Sequence, residues 1–438
     1  MKLKKLTLTN FRCYENFEIE FNEKLNVIVA ENGAGKTTIL DAIAIAYGAM
    51  LTRFPKVKGK TFETNDLKFD TNNKATPYMR IEAQSYSHLS WDRTQARNKT
   101  KQTKELIPKA KGLNQLHHYI DSIIDKEYES TKINYTIPLV MYYGTNRVVL
   151  KSPMRKRNFQ QEFSRYEALT NSLEANSNFT RLFQWFDAMQ NTENRKIVEY
   201  KDFGYKLAEL DAVRNAITSV ISDMKNPRIE ESPLRFLIDR NVNGKNIFFR
   251  IDQLSDGYKT VLAMVMDISA RMAEANPHLA NSNESEALIM IDEIDLHLHP
   301  RWQQKIVMDL QKTFPNAQFI LTTHSPQVLT TVEAQYIQAL VLEENKTKIQ
   351  LFNFSLGAKS HELLNTILGV DERPQNIEIV KILNRYIELV DDDLYHEEEA
   401  IKLRNELDIW GAGKEKELLR ADMSIRAKEY RRKKYEKN

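Results

Sequence analysis

The sequence predicts an α/β fold with a mixed, largely parallel sheet, and three apolar runs carry this prediction. KLNVIVA at 24–30 ends in a glycine-rich turn that opens a helix. LIMI at 288–291 ends in two acids, and AQFILTTHS at 317–325 ends in a polar tip. Buried strands that alternate with helices pair in parallel, and such sheets bind ligands at the carboxyl ends of their strands.

Composition and charge indicate more about the cellular compartment of this protein than about its binding partners. The 438 residues are 42% hydrophobic, enough for a sizeable core, and 63 Lys and Arg nearly balance 60 Asp and Glu, so no global field marks a partner. Cys13 is the one cysteine, which excludes a disulfide within the chain, and the N-terminus has no apolar signal segment. We expect a cytoplasmic protein with no membrane association.

The order of patterns divides the chain into four parts. Residues 1–92 hold alternating strands, the glycine turn and its helix, and form the first part of a discontinuous α/β domain. Residues 93–240 are predicted to be an inserted basic and helical lobe with a returning strand, TIPLVMYYGT. Residues 241–358 complete the α/β domain. Residues 359–438 have a helical pattern and are predicted to be an assembly or partner-docking region.

The glycine turn has the features of a phosphate-binding loop, since it follows a strand and opens a helix. Its glycines let several backbone N–H groups converge on phosphate oxygens, and Lys36 is predicted to reach the β- and γ-phosphates of ATP. Thr37 would hold Mg²⁺ through its hydroxyl. Ala30 replaces the usual first glycine, so the turn must use a conformation that alanine tolerates. The predicted nucleotide-binding residues are Asn32, Gly33, Ala34, Gly35, Lys36, Thr37 and Thr38.

Two acids at the end of the LIMI strand are the expected partners of this loop. Asp292 is predicted to hold Mg²⁺ through water, and Glu293 to polarise the attacking water. Paired acids at a strand end are also common caps of the next turn. The phosphate-binding loop upstream favours the catalytic interpretation.

The segment QLSDGYK at 253–259 indicates which group of ATPases is involved. It resembles the ABC signature LSGGQ, in the L-S-x-G form of SMC and RecF heads, with Asp256 in place of a glycine. The resemblance implies an ABC-type P-loop ATPase head with an inserted helical lobe and a C-terminal helical region. It also implies that Ser255 and Gly257 contact ATP bound by a second copy, so that two heads sandwich the nucleotide. The alternative is that Ser255 only caps its own helix.

Three further residues match motifs of the same family. His324, in TTHSP, resembles the switch histidine that senses the γ-phosphate, and is predicted to act in catalysis with Glu293. Arg12, in NFR, resembles an arginine that approaches the nucleotide. Asp295 falls where the D-loop aspartate lies. No glutamine is assigned to the family's Q-loop.

Shorter elements resemble a narrower group of bacterial ATPases. YYGTNR at 142–147, the helix around Trp185, and LGVDERP at 368–374 are similar to PtuA, the ATPase of Septu anti-phage systems and related retrons. The resemblance implies a regulatory subunit that hydrolyses ATP, forms at least a homodimer and controls a separately encoded, PtuB-like HNH nuclease. The alternative is a RecF- or SMC-like DNA repair or recombination ATPase that clamps DNA. An intrinsic nuclease is disfavoured because the sequence has no His/Asp metal cluster.

Charge runs mark further candidate surfaces. The stretches 93–111 and 147–157 are rich in Lys and Arg, and are candidate contacts for DNA or another nucleic acid. A solvated face is the alternative for both. At the C-terminus an acidic run at 388–399 precedes a basic run at 424–438. The two runs could pair within one chain, between protomers or with a partner protein, and the alternative is a frayed terminus.

Overall fold

The computed structural model describes residues 1–70, 72–129, 135–146, 163–175, 179–242, 244–344, 346–411 and 413–435. Thirteen strands and thirteen α-helices lie within these residues. The strands are Leu3–Phe11 (β1), Tyr14–Glu20 (β2), Leu25–Ala30 (β3), Tyr78–Ser85 (β4), Ser90–Ala96 (β5), Leu139–Tyr143 (β6), Met224–Glu231 (β7), Leu234–Val242 (β8), Lys245–Arg250 (β9), Ala287–Ile291 (β10), Ala317–Thr322 (β11), Ile337–Glu343 (β12) and Lys346–Leu351 (β13). The helices are Lys36–Leu51 (α1), Lys101–Leu106 (α2), Leu113–Glu129 (α3), Phe179–Tyr200 (α4), Ala208–Val220 (α5), Asp256–Ala275 (α6), Pro300–Gln303 (α7), Ile306–Thr313 (α8), Pro326–Leu329 (α9), Ser360–Thr366 (α10), Glu378–Asp391 (α11), Glu398–Gly411 (α12) and Lys416–Tyr435 (α13).

The chain forms two units, Met1–Leu363 and Leu364–Asn438. All the strands lie in the first unit. In the second, α11, α12 and α13 enclose an apolar cluster that includes Leu383, Leu389 and Leu407. No helix among the described residues has both the length and the apolar character needed to cross a membrane.

A six-stranded sheet forms the centre of the first unit, in the order β13-β12-β3-β11-β10-β6. The five strands from β12 to β6 run parallel, and β13 pairs antiparallel at the edge. Strands β3, β10 and β11 are buried along their whole length, as expected for parallel strands that are covered on both faces. The predicted α/β class with a mixed, largely parallel sheet is confirmed.

Two further sheets are antiparallel, in the orders β2-β1-β4-β5 and β7-β8-β9. Helix α1 packs against strands of the four-stranded sheet and against β3, β6 and β11 of the parallel sheet. Its sequence, with Ala, Ile and Leu around the whole circumference, suits this position, because a helix that is apolar all round is stable only when it is buried all round. The helix that begins in the glycine turn is therefore fixed on both sides.

The first basic stretch, 93–111, differs in part from the predicted basic and helical lobe. Its first residues belong to β5, which pairs with β4, and only α2 within it is helical. Arg93 donates a hydrogen bond from Nη1 to the Ile45 carbonyl at 3.3 Å, so this guanidinium has an internal partner. The pairing of β5 with β4 explains the difference, because a short polar strand gives no clear sequence signal. The second basic stretch, 147–157, lies outside the described residues.

A buried hydrogen-bonded cluster around Asp267 joins helix α6 to strand β6. Asp267 accepts hydrogen bonds from the Tyr143 hydroxyl and from Arg271 Nε, both at 2.8 Å. Arg271 also donates to the Ala168 carbonyl at 2.6 Å. Because each group of this buried cluster has a partner, the position of α6 relative to the parallel sheet is well determined.

Gln318 joins the parallel sheet to the four-stranded sheet. This fully buried residue of β11 accepts a hydrogen bond from Leu3 N and donates from Nε2 to Leu3 O, both at 2.7 Å. Its amide also donates to the Asn22 carbonyl at 2.7 Å. The Gln318 side chain thus supplies hydrogen-bond partners to the backbone of the four-stranded sheet, at the start of β1 and just after the end of β2.

We predict that Gln318→Leu lowers the free energy of unfolding by on the order of 2–4 kcal/mol, because it leaves buried N–H and C=O groups of the β1 backbone without partners. Urea titration followed by tryptophan fluorescence measures this change. Gln338→Leu is the matched control, since Gln338 of β12 is half-buried and its hydrogen bond to the Glu20 carbonyl, at 2.8 Å, is exposed to solvent. Equal losses in the two variants would contradict the role given to Gln318.

Candidate functional site

The strand order brings three polar strand ends together. Strand β11 pairs with β3 on one side and with β10 on the other, and all three run parallel. The glycine turn that follows β3, the acids after β10 and His324 after β11 therefore lie at the same edge of the sheet.

The glycine turn has the backbone conformation that its sequence predicts. Gly33 has a φ of 82° and Gly35 a φ of 98°, both in the left-handed region that glycine adopts without strain. Ala30 is the last residue of β3, so the missing first glycine falls at an extended position. The first N–H bonded along α1 is that of Ile39, which donates to the Gly35 carbonyl at 3.1 Å. The N–H groups that precede it have no acceptor within the helix and are suited to bind an anion.

The side chain of Lys36 folds back over the glycine turn. Its Nζ donates to the carbonyl oxygens of Ala30 at 3.0 Å and Glu31 at 3.1 Å. Burial lowers the pKa of Lys36 from its ordinary value, and the nearby carboxylates of Asp292, Glu293 and Asp295 oppose this shift. The amine thus lies within the electrostatic field of the acids at the neighbouring strand end.

A chain of hydroxyl and carboxylate groups connects the loop to the acids. Thr37 Oγ1 donates to Asp292 Oδ2 at 2.7 Å, and Thr322 Oγ1 donates to Asp292 Oδ1 at 2.6 Å. The backbone N–H of Glu293 in turn donates to Thr322 Oγ1 at 2.7 Å. Glu293 has a φ of 48°, an uncommon conformation for a residue with a side chain, and this hydrogen bond helps to hold it. Hydroxyl and carboxylate oxygens are the ligands that Mg²⁺ prefers, so Thr37 and Asp292 fit the ion that accompanies ATP.

His324 follows β11 and is half-buried. Burial lowers its pKa below the ordinary 6.5, Lys36 lowers it further, and the three carboxylates of Asp292, Glu293 and Asp295 oppose both effects. The imidazole is therefore neutral at physiological pH, with one nitrogen as donor and the other as acceptor. The residue before it, Thr323, donates to Asp295 Oδ1 at 2.5 Å.

Arg12 lies in the turn between β1 and β2, with a φ of 48°. Its Nε donates to Asp66 at 2.7 Å, and its Nη1 donates to Asp41 of α1 at 2.6 Å. Lys60 donates to the other oxygen of Asp41 at 2.5 Å. The predicted nucleotide contact of Arg12 stays a prediction, since the guanidinium is held here by two carboxylates.

The signature residues lie at the start of α6. Ser255 has the extended conformation of an N-cap residue, is exposed, and makes no capping hydrogen bond with its side chain. A Cβ on Gly257 would lie 2.5 Å from the His297 carbonyl oxygen, so only glycine fits where α6 approaches the segment after β10. Among the described residues, no hydrogen bond or ion pair joins Ser255 or Gly257 to residues 30–38. The structure thus groups the residues of the loop, the acids and His324, and leaves the signature outside that group.

Comparison with known proteins assigns the family. A family model described as an AAA domain matches residues 5–225, just over half of the chain. The chain belongs to this AAA-domain family. A second AAA-domain model, whose description adds the AbiEii toxin of a type IV toxin–antitoxin system, matches residues 145–330.

The relatives of this AAA-domain chain include retron and Septu proteins, the group that its sequence motifs predicted. Retron Ec83 probable ATPase of Escherichia coli is 28% identical and aligns over 92% of this chain and 82% of its own length. Septu protein PtuA of Bacillus thuringiensis is 25% identical over 86% of this chain and 87% of its own length. Among solved structures, an SMC head bound to the C-terminal winged-helix domain of ScpA is 16% identical, covers 81% of this chain and 99% of that chain, and has a TM-score of 0.44. The prediction of a P-loop ATPase is confirmed by the family model and the named relatives.

Several groups in the site of this AAA domain were missed by the sequence prediction. Thr322 and Asp41 carry hydrogen bonds that orient predicted residues, and Tyr14 contacts the glycine turn. Thr322 could have been found from its place at the polar end of a buried strand, next to Thr323 and His324. Asp41 and Tyr14 gave no comparable signal, because their partners are fixed only by tertiary contacts.

We predict that Lys36→Ala removes most ATP binding, because the loop loses its one charged donor to the phosphates. Glu293→Gln should bind ATP with nearly unchanged affinity and reduce turnover by about 10²- to 10⁴-fold, the range for loss of a general base. Calorimetric titration and phosphate release measure these effects. The control is Glu398→Gln, an exposed position of α12. Turnover by Glu293→Gln at the wild-type rate would show that the catalytic assignment is wrong.

Proposed function

We propose that this chain is the ATP-binding and ATP-hydrolysing regulatory subunit of an anti-phage defence complex. The observation that carries the proposal is the convergence of Lys36, the Thr37–Asp292 contact and Glu293 in a chain aligned over most of its length with retron and Septu proteins. A site for hydrolysis in such a chain fits a switch that changes state with the nucleotide.

Each residue of the site has a role in the proposed reaction. Lys36 and the N–H groups at the start of α1 would hold the phosphates, while Thr37 and Asp292 would hold Mg²⁺, which would neutralise charge on the phosphate oxygens. Glu293 accepts a proton from the attacking water. The hydrogen bond from its backbone N–H to the Thr322 hydroxyl holds the main chain from which the carboxylate side chain extends. His324, neutral at physiological pH, can donate a hydrogen bond to the γ-phosphate without a permanent charge.

We propose that two copies share each nucleotide. Two features of Ser255 support this: its hydroxyl does not cap its own helix, and it is exposed at the start of the twenty-residue helix α6, whose N-terminus favours an anion. Gly257 packs on the segment after β10, and α6 is bonded to β6, so movement at the signature would be transmitted to the acids. A second head that supplies Ser255 would therefore complete a site that one head leaves open.

We predict that Ser255→Arg binds ATP but does not hydrolyse it, and that mixing it with Lys36→Ala restores activity. With free exchange at equal amounts the rate should reach roughly a quarter of the wild type, since half of the dimers are mixed and each has one intact site of two. Phosphate release from the mixture measures this. Absence of any rescue, with exchange proved by labelled subunits, would contradict sharing between copies.

We further propose that residues 359–438 dock a separately encoded HNH nuclease. The support is a set of exposed apolar side chains on α12 and α13 of the second unit, with Ile409 90%, Met423 69% and Trp410 43% exposed. Several large apolar side chains exposed on the same two helices favour an interaction site. The apolar cluster that holds α11, α12 and α13 together includes residues on both sides of residue 400. Truncation at that point would remove part of this core, so point variants test the region better.

We predict that Ile409→Asp keeps ATP turnover and loses capture of an HNH nuclease encoded beside this gene. Affinity capture after co-expression measures the loss. Val198→Asp is the control, because Val198 of α4 is also exposed, at 76%, and lies in the first unit. Normal capture by Ile409→Asp, or a genome with no HNH nuclease gene beside this one, would contradict the partner proposal.

A further inference from the structure

Tyr14 contacts the glycine turn from a different sheet and has no role in the site as described so far. It is the first residue of β2, its side chain is 2% exposed, and its ring stacks on Phe17 with centroids 4.4 Å apart. The hydroxyl is directed at the carbonyl oxygens of Gly35, at 3.2 Å, and Ala34, at 3.4 Å. A rigid, packed ring thus places one donor against the carbonyl oxygens of the loop.

The carbonyl groups that face Tyr14 set the direction of the amides that follow them. A peptide unit is planar and trans, so its C=O and N–H point in opposite directions. A donor that holds the Ala34 carbonyl turns the Gly35 N–H away from Tyr14. At the Gly35 carbonyl, Tyr14 and the N–H of Ile39 act together to do the same for Lys36 N–H. These N–H groups belong to the loop proposed to bind the phosphates. If either peptide unit turned over, a carbonyl oxygen would face the phosphates and repel them.

The shape of the loop beside Tyr14 agrees with this role. A Cβ added to Gly35 would lie 2.4 Å from the Tyr14 hydroxyl oxygen and 2.9 Å from Cys13 Sγ. The turn between β1 and β2 therefore fills the space next to Gly35, which has a φ of 98°. Burial raises the pKa of Tyr14 above its ordinary value, so the phenol keeps its proton.

We propose that Tyr14 is a positioning residue for nucleotide binding, which holds the peptide units after Ala34 and Gly35 with their N–H groups toward the phosphates. The inference rests on the proposed function, because it assigns the phosphates to this loop. It adds a residue from the four-stranded sheet to the machinery that grips the nucleotide.

The test is Tyr14→Phe, which keeps the ring stacked on Phe17 and removes only the hydroxyl. The Kd for ATP and for ADP should each rise by about 3- to 10-fold, the equivalent of one hydrogen bond. The KM for ATP should rise by the same factor with kcat within about twofold, because the loop grips ground state and transition state alike. Tyr47→Phe is the matched control: the Tyr47 hydroxyl is also buried, on α1, and donates to the Met1 carbonyl at 3.3 Å.

The two variants separate positioning from general stability. Weaker binding in Tyr14→Phe alone, with a melting temperature reduced no more than in Tyr47→Phe, supports the inference. Binding by Tyr14→Phe at wild-type affinity, or equal weakening in both variants, overturns it and leaves the proposed function standing. Absence of ATP binding in the wild type and both variants would overturn the proposed function as well.

Discussion

The hydrogen bonds made by Thr322 are the interaction on which the arrangement of the site depends. Its hydroxyl donates to Asp292 and accepts from the backbone N–H of Glu293, so one side chain of β11 holds the carboxylate of Asp292 and the backbone of Glu293 at the end of β10. Asp292 accepts in turn from Thr37, which connects this strand end to the loop after β3. The three parallel strands bring these groups within hydrogen-bonding distance. The buried Thr322 hydroxyl then holds them in place, because each buried polar group there needs a hydrogen-bond partner.

The loop after β3 is held from two sheets. Helix α1 continues the loop and lies between the parallel and the four-stranded sheet. From the second sheet, the turn between β1 and β2 places Arg12 against α1 and Tyr14 against the loop. Gln318 joins the same two sheets at the other end of β1. A loop that must present several N–H groups to one anion needs such support, since its glycines give it no rigidity of their own.

Charge is balanced within the site. Lys36 is partly desolvated, which disfavours its charged form, and three carboxylates favour it. The same carboxylates oppose the effect of Lys36 on His324. A bound nucleotide would add negative charge beside Lys36 and so change the environment of both groups. This sensitivity suits a domain proposed to change state with its nucleotide.

The sequence by itself determined the class of fold and the order of the functional groups. Apolar runs that end in Gly33 and Gly35, in Asp292 and Glu293, and in His324, with helical patterns between them, predict buried parallel strands with polar ends, because such strands are covered on both faces and present their carboxyl ends at one edge of the sheet.

The tertiary structure alone decided which hydroxyls orient those groups and what supports the loop. Thr37 and Asp292 are 255 residues apart in the chain, and Tyr14 reaches Gly35 from a different sheet. The strand β5 was missed for a related reason, since its polar residues are stabilised by pairing with β4 and not by their own pattern. Local patterns record which face of an element is buried, whereas a hydrogen bond between distant elements depends on how closely they pack, and that is set only when the whole domain folds.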